Sequence, residues 1–178
     1  MRRALMAGMA GMAGMLSLLA AASGAAPDPA TLLAGRYYEQ FPNALVTGET
    51  YTGEDIVEIV PVAPRTAYVR FALDFYNGHS CSLAGVATAD GEALVYRAAA
   101  PLVEDEQTCM LRIERNGDEL RWSDEGSCKA YCGARGSFLH GAIPYRSKRP
   151  IRYLAKLKGS SAYRDAITEW RTGKPVNP

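Results

Sequence analysis

The sequence predicts a mainly β protein, an antiparallel barrel or sandwich of about eight short strands with one C-terminal amphipathic helix. Three observations indicate this fold class. Apolar and polar residues alternate along several short segments, turn pairs that contain glycine separate those segments, and the apolar period becomes helical near the end of the chain. Many short strands with closely spaced turns are typical of sandwiches and closed barrels, and a barrel also removes exposed strand edges.

The clearest predicted strand is Thr66 to Tyr76, in which apolar residues occupy every second position. Only Ala63 to Arg65 separates it from the β-branched run Asp55 to Val62, so these two strands are expected to form a hairpin. Pro61 predicts an edge or a bulge in that run. Similar patterns and turn pairs such as Asp90-Gly91 predict the other strands, at 36–40, 80–88, 93–98, 109–114, 119–123 and 133–139.

The last segment has a helical period. A helix is predicted over about 161–171, with Ser161 as its N-cap and with Gly173 and Pro175 after its end. Because a helix this short is marginal alone, its apolar face is expected to pack on the β-domain. Four residues form that face: Tyr163, Ala166, Ile167 and Trp170.

The N-terminus is arranged like an export signal. Arg2 and Arg3 precede an apolar run from Ala4 to Ala22, and Ser23 to Ala25 are small residues that fit a cleavage site. We therefore predict a signal peptide over 1–25, a single domain over 26–178, a periplasmic or secreted location, and no stable membrane anchor after cleavage. A retained anchor is the alternative, which the many Gly and Ala residues of the run disfavour.

Four cysteines are predicted to form two disulfides, because an even number of cysteines is typical of small exported domains. They are Cys81, Cys109, Cys128 and Cys132. Structural zinc sites prefer two close cysteine pairs, and only the last two cysteines are close in sequence. We therefore expect no metal and no cofactor. Four cysteines leave three pairings open.

Charge is distributed unevenly, although the formal net charge is only +1 at pH 7. Residues 27–128 contain 17 acidic and 7 basic side chains, whereas residues 129–178 contain 11 basic and 2 acidic ones. The two halves either interleave in the fold or form an acidic face suited to a basic partner. Nucleic acid is not an expected partner, since the basic half has no recognition-helix or stacking motif.

Residue types for catalysis are sparse, so we predict a protein without enzymatic activity. His79 and His140 fit surface turns better than a metal or Ser-His-Asp site, and no serine lies in a nucleophile elbow. Adjacent carboxylates such as Glu104 to Glu106 are typical of solvated loops. Arg135, in the turn Gly133 to Gly136, is expected to pair with an internal carboxylate, with contact to a partner as the alternative.

Part of the chain resembles small exported bacterial β-barrel proteins of the periplasmic lysozyme-inhibitor type. The resemblance lies in Cys109-Met-Leu-Arg-Ile, Leu120-Arg-Trp and Cys132-Gly-Ala-Arg-Gly-Ser-Phe-Leu-His-Gly. It implies that Cys109 pairs with Cys132, which leaves Cys81 for Cys128. The whole chain is also similar to uncharacterised exported proteins of proteobacteria.

The resemblance implies an exported binding protein, an inhibitor or immunity protein against a lysozyme-like cell-wall hydrolase. The Ser-Gly-x-x-Tyr loop with which such inhibitors enter the enzyme cleft is missing, and Gly159 to Tyr163 is its nearest counterpart. A protein partner is therefore expected to contact a different surface, beside the cysteines. Its candidate residues are Tyr131, Arg135, Ser137, His140 and His79.

Two alternatives come from other functional classes. Gly35-Arg36-Tyr37-Tyr38-Glu39 resembles the Gly-x-Trp-Tyr-Glu opening of lipocalins, which implies a carrier of a small apolar ligand. Such a carrier needs an open, apolar barrel interior. The other alternative is a structural protein of the cell envelope without a discrete site.

Overall fold

A computed structural model describes residues 27–176, and the predicted signal peptide lies outside them. The described residues form one sheet of eight antiparallel strands, which are neighbours in the order of the sequence. The strands are β1 Gly35–Ala44, β2 Thr50–Ala63, β3 Thr66–Asp74, β4 Ser80–Asp90, β5 Ala93–Arg97, β6 Met110–Asn116, β7 Glu119–Ser123 and β8 Gly141–Pro144. The α-helices are α1 Pro29–Leu32, α2 Leu154–Lys158 and α3 Ser161–Thr172. The predicted mainly β fold with a C-terminal helix is confirmed.

The sheet curls into a nearly closed barrel. Arg36 at the start of β1 and Arg149 after β8 exchange two backbone hydrogen bonds of 2.8 Å. Among residues 27–176, β1 pairs along its length only with β2, so a seam stays open between its second half and β8. Pro42 in β1 and Pro144 in β8 lie along this seam, and neither has an N–H group to donate across it.

Alternate strand residues fill the barrel interior. The ring of Phe71 packs edge to face on Trp122 and Phe138, with centroid distances of 5.3 and 5.6 Å. Glycines make room for the largest rings, because a Cβ atom at Gly141 would overlap the Trp122 indole. The interior is one continuous cluster whose largest fully buried members include Tyr37, Phe71, Phe138, Ile59, Leu83, Leu94, Leu111, Ile113, Leu120 and Ile143.

Both ends of the barrel are closed by chain outside the strands. At one end, α1 and the residue after it bury Ala30 and Leu33 completely, and the Tyr37 hydroxyl donates to the Leu33 carbonyl at 3.0 Å. This helix, whose N-cap is Asp28, was not predicted from the sequence. At the other end, Phe138 from the connection between β7 and β8 enters the interior and is 1 % exposed.

The C-terminal helix packs on the outer face of β2, β3 and β4, as its apolar stripe predicts. Ala166 of α3 is buried there with Tyr68 and Val86. Gly173 ends the helix with φ +63°, as predicted, but Ser160 rather than Ser161 is the N-cap, and its Oγ accepts from the Tyr163 amide at 3.2 Å. No helix among residues 27–176 is long and apolar enough to cross a membrane.

A fully buried carboxylate lies on the same outer face. Glu58 of β2 is 0 % exposed and accepts from Arg70 Nη1 of β3 at 2.9 Å and from the Tyr153 hydroxyl. Burying a carboxylate is costly unless it is paired and hydrogen-bonded. These bonds therefore hold the segment before α2 against the barrel.

The predicted strand boundaries are confirmed in part. The register of β2 against β3 shifts between Pro61 and Ala63, which is the predicted bulge. The expected strand over 133–139 is wrong, because these residues form a connection and the eighth strand is β8. The ammonium of Lys129 explains the difference, since it binds the carbonyls of Gly133, Ala134 and Gly136 at 2.8 to 2.9 Å and so holds this segment in a turn.

Candidate functional site

Four connections meet at one end of the barrel because the strands follow one another in an up-and-down order. They are residues 45–49, 75–79, 98–109 and 124–140, and we call them together the loop end. The opposite end holds α1 and three tight turns. Short turns leave little surface for a partner, whereas longer connections on a rigid scaffold commonly carry binding residues.

Both disulfides lie at the loop end, but the predicted pairing is wrong. Cys81 pairs with Cys132, and Cys109 pairs with Cys128. The β6–β7 hairpin explains the second pair: Cys109 precedes β6 and Cys128 follows β7, so the hairpin brings them side by side. The chain then crosses the barrel end to the start of β4, where the Gly133 amide donates to the Ser80 carbonyl at 2.8 Å.

All five predicted partner-binding residues lie at the loop end, but they do not form one cluster. His79 lies against the backbone of Gly133. A Cβ atom added to this glycine would lie 3.3 Å from Nδ1 of His79. The Ser137 hydroxyl accepts from the Leu139 amide at 3.0 Å, and His140 is exposed.

Tyr131 faces the barrel wall rather than a partner. Its hydroxyl lies 3.3 Å from that of Tyr96, and burial raises the pKa of Tyr131. Tyr96 itself is nearly fully buried. We therefore assign Tyr131 to the packing of the loop end against the barrel.

Arg135 is exposed, contrary to the internal role that the sequence favoured. It takes part in none of the ion pairs that residues 27–176 form. The turn around the Lys129 ammonium places Arg135 at its outer side, so the guanidinium stays in contact with solvent. The alternative role, contact with a partner, remains a prediction.

Exposed apolar side chains concentrate at the loop end, a feature that the sequence analysis missed. Ten large apolar side chains are exposed among the described residues, and six of them lie in these connections or directly after one. Four of them stand in short segments without clear periodicity, so no pattern in the sequence distinguishes them from buried ones. The other two, Tyr76 and Met110, alternate with apolar residues in the predicted strands 66–76 and 109–114. The six are Val46, Tyr76, Leu102, Val103, Met110 and Leu139.

Carboxylates outnumber basic groups in the same connections. Lys129 and Arg135 are their only lysine and arginine, and the Lys129 ammonium is already bound to three carbonyls. Asp124 has a structural role, since it is buried and accepts from the amides of Gly126 and Cys128. The six carboxylates are Glu49, Glu104, Asp105, Glu106, Asp124 and Glu125.

The basic segment after β8 begins at the opposite end. Lys148 donates to the Leu32 carbonyl of α1 at 2.7 Å, and Arg149 pairs with the start of β1. The segment does not stay at that end, because α3 runs back to the loop end, where Glu169 accepts from the Ala99 amide at 3.1 Å. The acidic and basic halves of the sequence therefore interleave in the fold.

Two carboxylates hold β2 and β3 together where these strands separate near the loop end. The Asp74 amide donates to Asp55 at 3.0 Å, and the Glu54 amide donates to Asp74 at 2.9 Å. Burial raises the pKa of Asp55 to about 6, and the nearby carboxylates of Asp74 and Glu39 add to the rise. The pKa of Glu54 shifts the other way, because hydrogen bonds from Tyr38 and Gln40 lower it.

Asp55→Asn is expected to stabilise the protein at pH 7.5 by about 1 to 2 kcal/mol, a value reduced for partial solvent exposure. The folded pKa of Asp55 lies above its usual 3.8, so the native state binds the proton more tightly and stability falls as the pH rises from about 4 to about 6. Urea unfolding of both proteins at pH 4 and pH 7.5 measures the difference in their free energies of unfolding.

Asp55→Asn should differ from wild type only at the higher pH. Glu54→Gln is the control and should not stabilise the protein at either pH. Equal stability of Asp55→Asn and wild type at pH 7.5 would contradict the prediction.

A surface groove with a volume of about 360 Å³ lies on the outer face of β6, β7 and β8. His140 lines it with two arginines that are already paired: Arg112 with Glu114 at 2.9 Å and Arg121 with Glu119 at 2.7 Å. Within residues 27–176, no three His, Cys, Asp or Glu side chains are placed so that they could hold a metal ion.

Fold and site together define an antiparallel β-barrel protein with filled interior, disulfide-bonded connections and an apolar, acidic loop end. Comparisons of this chain with protein-family models, with curated proteins and with solved structures gave no match.

Proposed function

We propose that the protein is an exported binding protein whose loop end docks on a basic protein partner, as an inhibitor or immunity protein against a lysozyme-like cell-wall hydrolase. One observation carries the proposal: among the described residues, six of the ten exposed large apolar side chains lie at the loop end or directly after one of its connections, beside an excess of carboxylates. Apolar groups gathered on one surface are typical of interaction sites.

The charge of the loop end indicates what kind of partner fits it. Carboxylates around apolar contacts attract a cationic surface, speed its association and disfavour acidic partners. The two disulfides are consistent with an oxidising compartment outside the cytoplasm, where a cell-wall hydrolase would be met.

The barrel interior supports binding at the surface rather than carriage of an apolar ligand. Phe71 packs against Trp122 and Phe138 in the interior beside the loop end, and α1 and the loop end close its two ends. A carrier of this size would need an open cavity in the same place. The concentration of exposed apolar side chains also argues for a discrete site, which an envelope structural protein would not require.

The test uses protein purified after export, with both disulfides formed. Calorimetry and peptidoglycan-clearing assays with basic lysozymes of the c, g and i types, and with hydrolases encoded beside this protein, should show 1:1 binding by at least one enzyme with a Kd of about 1 µM or tighter. Binding should weaken as salt rises, because salt screens exposed charges. If every enzyme stays unbound and fully active at about 10 µM protein, the proposed function is wrong.

A further inference from the structure

One connection of the loop end differs from the rest. Residues 101–108, between β5 and β6, are all exposed, which is the longest uninterrupted exposed run among the described residues. The other loop-end connections contain buried or half-buried residues within any stretch of this length. This segment is therefore the connection of the loop end with the least contact to the packed body of the barrel.

The base of this segment is fixed although its tip is exposed. The Ala98 amide donates to the Cys109 carbonyl at 3.0 Å, and Cys109 is bonded to Cys128. From the other side, Glu169 of α3 accepts from the Ala99 amide at 3.1 Å. A segment that is held at its base loses less conformational entropy on binding than a free one.

The tip joins two apolar side chains to three carboxylates. Leu102 and Val103 are 57 % and 49 % exposed. A turn follows, in which the Glu106 amide donates to the Val103 carbonyl at 3.2 Å and Asp105 has φ +68°. Neither Glu104, Asp105 nor Glu106 belongs to an ion pair of the described residues. The tip thus offers apolar anchors with carboxylates free to meet cations.

Two other exposed apolar residues of the loop end have backbone groups tied to neighbouring parts of the chain, although the Val46 side chain is 66 % exposed. The Val46 amide donates to the Asn77 side chain at 3.0 Å, which ties the first two connections together. The Leu139 carbonyl accepts from Ser123 of β7 at 2.6 Å. These residues can form the rim of an interface, whereas the tip of residues 101–106 can enter a concave surface.

We infer that residues 101–106 are the element that enters a concave, cationic cleft of the partner protein, with Leu102 and Val103 in an apolar subsite and Glu104 to Glu106 against its arginines or lysines. The inference rests on the proposed function and adds to it the chemistry of the partner's contact surface. A cleft removes more of the tip from water than a flat surface would, which strengthens both its apolar and its charged contacts.

The test compares variants for binding to the enzyme that wild type binds, by surface plasmon resonance. Leu102→Ser/Val103→Ser should weaken binding about 30-fold or more, because a few anchor side chains at the centre of an interface contribute most of the binding energy. Glu104→Gln/Asp105→Asn/Glu106→Gln should slow association about tenfold and flatten its salt dependence, and Asn tolerates the φ of Asp105. Val46→Ser and Leu139→Ser are matched controls and should stay within about threefold of wild type.

The outcomes separate this inference from the proposed function. All substituted positions are exposed, so thermal unfolding should match wild type and a loss of binding is not a loss of fold. If wild type binds but the tip variants bind equally well, or if the control variants lose most, the inference fails and the proposed function stands. If wild type binds none of the enzymes, both fail together.

Discussion

Phe138→Ala is expected to lower the free energy of unfolding by about 3 to 5 kcal/mol, the usual cost of removing a buried phenylalanine ring. Phe138 belongs to a connection rather than a strand, yet it is 1 % exposed and packs edge to face on Phe71 at 5.6 Å. Its loss would leave a cavity at the loop end of the barrel. Urea unfolding followed by the fluorescence of the buried Trp122 measures the change.

The neighbouring residue offers a matched control. Leu139 is 42 % exposed, so Leu139→Ala should change stability by no more than about 0.5 kcal/mol. Phe138→Leu should lie between the two, because leucine fills part of the same volume. If Phe138→Ala costs less than about 1 kcal/mol, the ring does not close the barrel as described.

Removing the Cys81–Cys132 disulfide with paired alanines is expected to lower the free energy of unfolding by about 4 kcal/mol. This bridge joins residues 51 positions apart, whereas Cys109 and Cys128 are separated by 19. A longer closed loop restricts the unfolded chain more, so removal of the second bridge should cost less, about 3 kcal/mol. Urea unfolding of the two double variants compares them directly.

The same pair of bridges can be checked without any variant. Trypsin cleaves after Lys129, which separates Cys128 from Cys132. Each cysteine lies on its own tryptic peptide, because the enzyme also cleaves after Arg70, Arg97, Arg112, Arg121 and Arg135. Mass spectrometry of the unreduced digest should therefore find peptide 71–97 joined to 130–135, and 98–112 joined to 122–129. Joined peptides 98–112 and 130–135 would instead restore the pairing that the resemblance implies.

Most of the β-barrel could be predicted from local patterns. Thr66–Asp74 and Glu119–Ser123 lie where alternation and turn pairs place them, since a half-buried strand needs period two. The eighth strand could not be placed, because Lys129 binds three carbonyls of the segment that otherwise looked extended. Helix α1 was missed because four residues carry too little periodicity.

The candidate site was predicted in location but not in composition. The cysteines and the residues chosen beside them all lie at the loop end, because the sequence neighbours of a disulfide stay near it. The disulfide pairing depends on the chain crossing from β7 to β4, a contact between residues far apart in sequence. The exposure of Leu102 and Val103 also depends on residues far apart in sequence, because it requires that no other part of the fold packs against them.

Local patterns along the chain were sufficient to predict the strand periodicity and the amphipathic C-terminal helix, and the uneven charge could be counted directly. The closure of the barrel ends, the pairing of the cysteines, and the exposure of apolar side chains near carboxylates at the loop end became known only from the folded chain. The two groups of features differ in the range of the interactions that produce them. Alternation and turn preferences act between residues a few positions apart, whereas burial, disulfide pairing and surface charge follow from contacts that exist only once the eight strands have closed on one another.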